Sequence, residues 1–153
     1  MRVSGRALAI VAALVCAGLT LVLWPKKAMS AQDEIRAMVA RCVRAAEEKD
    51  LSVIVDALVP EFKGPNGASR EEVKGIIAYQ VLRPGQATTV FNPSLDVTTT
   101  GASEGTISGK FVFVRGKVKT LEEGPSMGTY QIDGNLQKRD GKWVFVSATY
   151  RQL

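Results

Sequence analysis

Histidine is absent from all 153 residues of this chain. Its absence excludes a histidine metal site, a His–Asp general-base pair and a Ser–His–Asp nucleophile. Only two cysteines occur, Cys16 and Cys42, too few for a disulfide framework or a cysteine metal site. Cys16 falls in a charge-free apolar run and Cys42 on the apolar face of a predicted helix, so they do not pair and read as small buried hydrophobes. Acidic residues are missing before Asp33, and aromatics make up only 7% of the chain. No internal repeat and no low-complexity tract breaks the sequence.

What is present is a basic balance, with net charge +5 and pI near 9.4. Its distribution matters more than its size. Arg2, Arg6, Lys26 and Lys27 flank the apolar run; without those four, 16 bases face 15 acids. A phosphate-binding surface needs a clustered positive field, so nucleic acid is not an expected partner. Residues 7–24, Ala7 to Trp24, carry no charge. As a helix they would span about 27 Å, close to the hydrocarbon thickness of a bilayer. Trp24 suits the interface, and Pro25-Lys26-Lys27 ends the segment in water. The expectation is a single-pass cell-membrane protein: a short tail over 1–6, a transmembrane anchor over 7–24, a linker over 25–31 and a domain over 32–153. The small basic excess at the N-terminus places that domain on the extracytoplasmic side. A competing reading is a signal peptide cleaved near Ser30, because Ala28 and Ser30 supply small residues at the −3 and −1 positions, leaving a secreted or periplasmic domain. A lipidated Cys16 is disfavoured by Val15 before it and by the apolar run beyond it.

After the linker the pattern has period 3.6. Ile35, Met38, Val39, Cys42, Val43 and Ala46 make the apolar stripe of a helix over 31–48. Asp50 caps a second helix with Leu51, Ile54, Val55 and Leu58 inward, stopped by Pro60. A turn-rich stretch over 63–68 leads to Ser69-Arg70-Glu71-Glu72, a capping box opening a third helix with Val73, Ile76, Ile77 and Val81 inward. Pro84-Gly85 closes it. The period then changes to two: strands are predicted within 87–99, with a bend at Asn92-Pro93, and over 105–119, 127–138 and 142–152, the last two joined by an Arg139-Asp140-Gly141 hairpin. On the last strand Trp143 and Phe145 are assigned to one face, and Val144, Val146 and Tyr150 to the other. Helices followed by an antiparallel sheet make an α+β domain.

Three phrases in this order resemble the nuclear transport factor 2-like (cystatin-like cone) superfamily: Ala45-Ala46-Glu47-Glu48-Lys49-Asp50-Leu51 between two helices, Glu61-Phe62-Lys63-Gly64 after the second, and Lys138-Arg139-Asp140-Gly141-Lys142-Trp143-Val144-Phe145 as the closing hairpin. The resemblance covers about residues 32–152. It implies three N-terminal helices closing one side of a curved antiparallel sheet around a cone-shaped pocket. It implies no one reaction, since the superfamily holds isomerases, dehydratases, hydrolases, transport adaptors and noncatalytic modules.

Without histidine, acid–base chemistry would need a carboxylate beside a phenol. The internal acids are Asp56, Asp96 and Asp133; the phenols are Tyr79, Tyr130 and Tyr150. Tyr130 and Asp133 lie three apart on a strand and point to opposite faces. Asp56 falls off its helix stripe, and Asp96 falls on a Thr-rich strand beside a bend. No catalytic, cofactor or metal residue is assigned. Tyr79, Phe113, Tyr130, Trp143 and Phe145 are candidate pocket-lining residues. Arg115, Lys117 and Lys119 form a basic row, read as a charged guard on a strand edge, with an acidic ligand or anionic lipid headgroups as the alternative. The expected function is a membrane-tethered, noncatalytic binding or assembly module, with a homodimer through the Val144, Val146 and Tyr150 face as a candidate partner arrangement. The alternative is a small-molecule enzyme or carrier of isomerase or dehydratase type using the cone.

Overall fold

The computed structural model describes residues 28–81 and 86–153. The tail, the anchor and most of the linker lie outside those residues, and no described helix is long and apolar enough to cross a membrane.

Helix α1 runs Ala31–Glu48. Ser30 caps it by accepting from the Asp33 amide at 3.1 Å, and Lys49 ends it in the left-handed region with φ 60°, a terminus that hands the carbonyls of Ala45 and Ala46 to the following amides. Ile35, Met38, Val39 and Ala45 are its buried residues. Helix α2, Leu51–Asp56, starts on the Asp50 carboxylate, which accepts from the Ser52 and Val53 amides. Helix α3, Arg70–Val81, opens on the expected capping box: Glu72 takes the Ser69 amide at 2.7 Å and Ser69 Oγ takes the Glu72 amide at 3.3 Å.

The three helices are not all N-terminal. Strand β1, Leu58–Lys63, intervenes between α2 and α3, through residues read from sequence as the end of a helix and its proline stop. Leu58, Val59 and Phe62 are buried there. Pro60 is tolerated because β1 is an edge strand, where one missing amide breaks no continuous ladder. The remaining strands are β2 (Thr88–Thr100), β3 (Glu104–Arg115), β4 (Ser126–Arg139) and β5 (Lys142–Gln152). β3 stops four residues short of the predicted strand, at Gly116 with φ 101°, so Lys117 and Lys119 sit in a loop and not on a strand edge. The sheet order is β1-β5-β4-β3-β2. Neighbours are antiparallel except β1, which pairs with β5 in parallel. Asp140 and Gly141, at φ 50° and 74°, form the tight β4–β5 hairpin in the sense that matches strand twist.

Two register shifts decide which side chains face the helices. In β2 the shift falls between Phe91 and Ser94, where Asn92-Pro93 was expected to bend the strand. In the β4–β5 pair Leu136 faces Phe145 while Asn135 faces Ser147. Val146 is the extra residue of this bulge, and a bulge reverses the alternation beyond it. Tyr150 therefore lies on the helix side with Phe145, and not with Val144 and Val146 as strict alternation assigned it. Val144 and Val146 pack instead against the Leu58, Val59 and Phe62 cluster. The sheet's other face is polar: Ser108 donates to Asp133 at 2.6 Å, Gln131 to Ser108 at 2.9 Å and Asn135 to Ser147 at 2.8 Å.

The main core joins α1 to the sheet through Ile35, Met38, Val39, Ile107, Phe111, Leu136 and Trp143. Helix α1 also covers the exposed edge of β2. Arg36 Nη1 donates to the Leu95 carbonyl at 2.7 Å, and Glu47 Oε1 accepts the Val90 amide at 2.8 Å. Eleven helical residues rise about 16 Å, close to the length of the strand between those two groups, so one helix face satisfies both.

Candidate functional site

Between the curved sheet and the three helices lies a half-open apolar hollow in two adjoining chambers. The inner chamber has a volume of about 290 Å³ and is walled by residues of every helix, among them Val39 and Cys42 of α1, Ile54 of α2 and Ile76 and Ile77 of α3. The sheet contributes Ile107, Phe111, Ile132, Phe145 and Ala148. The outer chamber, about 220 Å³, shares Ala46, Ile76, Ile77, Val90, Phe113, Ile132 and Tyr150 with the inner one and adds Thr88, Met127 and Tyr130. No charged residue is among the described residues lining either chamber.

Glycines make room for the aromatic wall. A Cβ on Gly134 would come within 2.8 Å of the Phe145 ring, and one on Gly128 within 2.7 Å of the Tyr130 ring. Gly128 also sits at φ 147°, which side-chain-bearing residues rarely adopt. The rings then meet edge to face: Phe113 and Tyr130 at 5.7 Å between centroids, Tyr130 and Tyr150 at 6.1 Å, the arrangement aromatic quadrupoles favour.

Helix α3 is the least embedded wall. Its N-terminal end is tied down: Arg70 donates to the Val55 carbonyl at 2.9 Å, Ser69 bridges to Lys63, and Val73 packs on the Phe62 cluster. Further along, Ile76 is 45% exposed although it lines both chambers, and Tyr79 is 65% exposed.

Of the five residues expected from sequence to line a pocket, Phe113, Tyr130 and Phe145 do so. Tyr79 is exposed on α3 and is not among the lining residues. Trp143 is 5% exposed and sits under α1, its indole donating to Glu34 Oε2 at 2.7 Å. Lys138 Nζ reaches the same oxygen at 2.7 Å and lies 5.9 Å from the Trp143 ring centroid. The hydrogen bonds from Lys138 and then Trp143 hold the Glu34 carboxyl below its ordinary range. Most of the chamber's aliphatic lining, and Tyr150 and Cys42 with it, was not singled out. The stripes of α1 and α3 were the available signal for Cys42, Ala46, Ile76 and Ile77, but periodicity alone does not separate a filled core from a hollow one.

None of the candidate acids faces the cavity. Asp56, Asp96 and Asp133 are exposed, Asp133 on the polar face of the sheet. Among the described residues, no group of three or more Cys, Asp or Glu gathers in a way that could hold a metal. Cys42 is a free thiol in the inner wall, and burial pushes its ionisation upward, which keeps it neutral and weakly nucleophilic.

The chain order, with a helix pair, an edge strand, a third helix and four long antiparallel strands curled around an apolar hollow, decides the architecture. It is the cystatin-like cone of the nuclear transport factor 2-like proteins. Solved structures carry the same fold at low identity. An NTF2-like protein with a cystatin-like fold from Novosphingobium aromaticivorans matches at TM-score 0.62 and 18% identity, over 91% of this chain and 88% of that one. A provisionally assigned scytalone dehydratase from the same organism matches at TM-score 0.64 and 16% identity, over 79% and 83%. A Catenulispora acidiphila protein in complex with S-DNPA matches at 0.62 and 15%, over 78% and 91%. At these identities the likeness establishes the fold alone. No protein-family profile matches the chain, and no curated protein matches it by sequence.

Proposed function

We propose that the domain is a noncatalytic binding module whose cone takes up an apolar molecule, and that residues 7–24 tether it to a membrane with the domain on the extracytoplasmic side. The observation that supports the binding reading is the inner chamber: it is lined mostly by aliphatic and aromatic side chains from all three helices and the sheet, and no carboxylate is among the described residues lining it. A small-molecule site is typically a concave, mostly apolar cavity of roughly 300–1,000 Å³, and the two chambers together reach that size. An isomerase or dehydratase reading would need a carboxylate with a raised pKa facing a phenol. Here Tyr130 and Tyr150 line the cavity and the candidate acids lie outside it. A neighbour of the same fold is in complex with S-DNPA, which lends the binding reading support.

Cys42 offers a direct readout. In the full chain with Cys16→Ser, reconstituted in lipid nanodiscs, pyrene is expected to slow alkylation of Cys42 by N-ethylmaleimide in a saturable way. Ala46→Phe, which places a ring where the two chambers meet, is expected to abolish the effect. Alkylation indifferent to pyrene in both proteins would overturn the binding reading. The tether has its own test. Intact-mass measurement of the membrane fraction is expected to find residues 7–24 retained, whereas a mature N-terminus at Ala31 would replace the tether with a cleaved leader. A homodimer through the sheet face remains a separate proposal. The polar character of that face argues for a weak pair at most, and light scattering of the reconstituted chain would detect a stable one.

A further inference from the structure

Among the described residues, the hollow is open at one end of the domain, and the chain enters at the other. The outer chamber is lined by Ala46 near the end of α1, Thr88 at the start of β2, Phe113 near the end of β3, Met127 near the start of β4 and Tyr150 near the end of β5. In antiparallel pairs those strand positions share one end. Its two exposed large apolar residues, Ile76 and Tyr150, the latter 52% exposed, mark the rim there. The opposite end is solid. Ile35, Leu136 and Trp143 are buried in it, and a Cβ on Gly105 would already stand 2.9 Å from Ile35 Cδ1. Glu34 pins the first turn of α1 to this closed end through Lys138 and Trp143, beside the exposed turn over residues 139–142. Ser30 leads the chain into α1 at the same place.

Two lengths decide which end a tethered domain shows to the bilayer. From Ala31 to Ala46 is fifteen helical residues, a rise of about 22 Å, and α1 runs on to Glu48. Residues 25–30 are the six that separate Trp24 from α1; fully extended, such a stretch reaches at most about 21 Å. With the mouth against the lipid, the start of α1 would be held a helix length above it. The linker falls short of that height even when stretched straight, and stretching it would pull Lys26 and Lys27 off the interface. With the closed end against the lipid, no stretching is needed. We infer from this, resting on the tether and binding readings above, that the domain stands on the membrane by its β4–β5 hairpin with its mouth toward water. The cone then exchanges its apolar ligand with the aqueous side and not with the lipid beneath it.

The test reads nearness to lipid at chosen thiols. Lys142→Cys in the hairpin, Glu122→Cys in the loop between β3 and β4, and Tyr79→Cys one turn beyond Ile76 on α3 are placed singly in the full-length Cys16→Ser protein in nanodiscs. All three positions are exposed. Labelling by a maleimide carried on a phosphatidylethanolamine headgroup is compared with labelling by soluble N-ethylmaleimide, peptide by peptide, with native Cys42 read in each protein. Relative to the soluble reagent, the lipid-borne one is expected to label the hairpin thiol about tenfold faster than either rim thiol or Cys42, because the rim stands a helix length further from the headgroups. A rim thiol or Cys42 labelled as fast as the hairpin thiol would mean that the mouth meets the bilayer, and overturns this inference while tether and binding stand. Intact mass lacking residues 7–24, with no lipid-borne labelling at any position, overturns the tether and this inference with it. Cys42 alkylation that pyrene does not slow, with the hairpin thiol still favoured, overturns the binding reading and the ligand route but leaves the orientation standing.

Discussion

Glu34 shows how one residue can stand for a structural joint. Its Oε2 accepts from both Lys138 and the Trp143 indole, so a single carboxylate holds the start of α1 to the β4–β5 hairpin. Because its pKa is lowered by those bonds, the folded state binds the proton less readily than the unfolded one. Its stabilising contribution is thus complete above the ordinary glutamate pKa and is lost as pH falls through the lower, folded value. Glu61, Glu72 and Asp50 are shifted in the same direction by their own hydrogen bonds. Chemical denaturation midpoints are therefore expected to hold steady near neutral pH and decline below about pH 4. Glu34→Gln should flatten part of that decline; an acid arm unchanged by the substitution would remove Glu34 from the account. Gly134 is a second telling residue. Gly134→Ala drives a methyl into the Phe145 ring and is expected to cost about 1–3 kcal/mol of unfolding free energy, the usual range for overpacking.

At the scale of elements, the helices were legible and the first strand was not. Asp50 and the Ser69–Glu72 pair mark helix starts in the sequence because a short polar side chain there satisfies amides that nothing else can reach; Ser30, read from sequence only as a small residue before a cleavage point, does the same for α1. Those signals are local, and they held. Strand β1 has no such local signal. Leu58-Val59-Pro60 continues the helical stripe of α2, and only its pairing beside β5, more than eighty residues later in the chain, makes it a strand. The β4–β5 bulge is illegible for the same reason, since it is a property of two strands together. It moved Tyr150 into the cone and Val144 and Val146 under β1. The cover that α1 gives to β2 leads to a further expectation. Arg36→Ala combined with Glu47→Ala frees a backbone carbonyl and a backbone amide on a long edge strand. About 1–3 kcal/mol of stability should be lost, together with concentration-dependent aggregation seeded by the open edge. An unchanged melting temperature and clean light scattering would contradict this. Helix α3, pinned at one end and exposed at Ile76 and Tyr79, is expected to exchange its amide hydrogens faster than α1. Pyrene binding should slow the exchange of its Ile76–Ile77 turn.

For the whole molecule, the fold follows from an uneven distribution of apolar side chains. There are enough to wall a cone but too few large ones to fill it. The sequence made the walls visible as stripes and alternations, and the family resemblance supplied the shape. Whether the space between the walls is filled or hollow depends on the summed volumes of side chains from all three helices and all five strands, a global quantity that no segment reveals. Trp143 illustrates this: it reads as a pocket aromatic by spacing, yet it is committed to Glu34 beneath α1. The hollow is also what the functional account depends on. With Trp24→Phe, Trp143 becomes the only tryptophan of the full chain, and energy transfer from it to pyrene reports occupancy inside the domain. Titration of the nanodisc-held protein should saturate at one pyrene per chain and should not saturate in the Ala46→Phe variant. Identical, non-saturating transfer in both proteins would mean that the cone does not bind and that pyrene is seen only in the surrounding lipid.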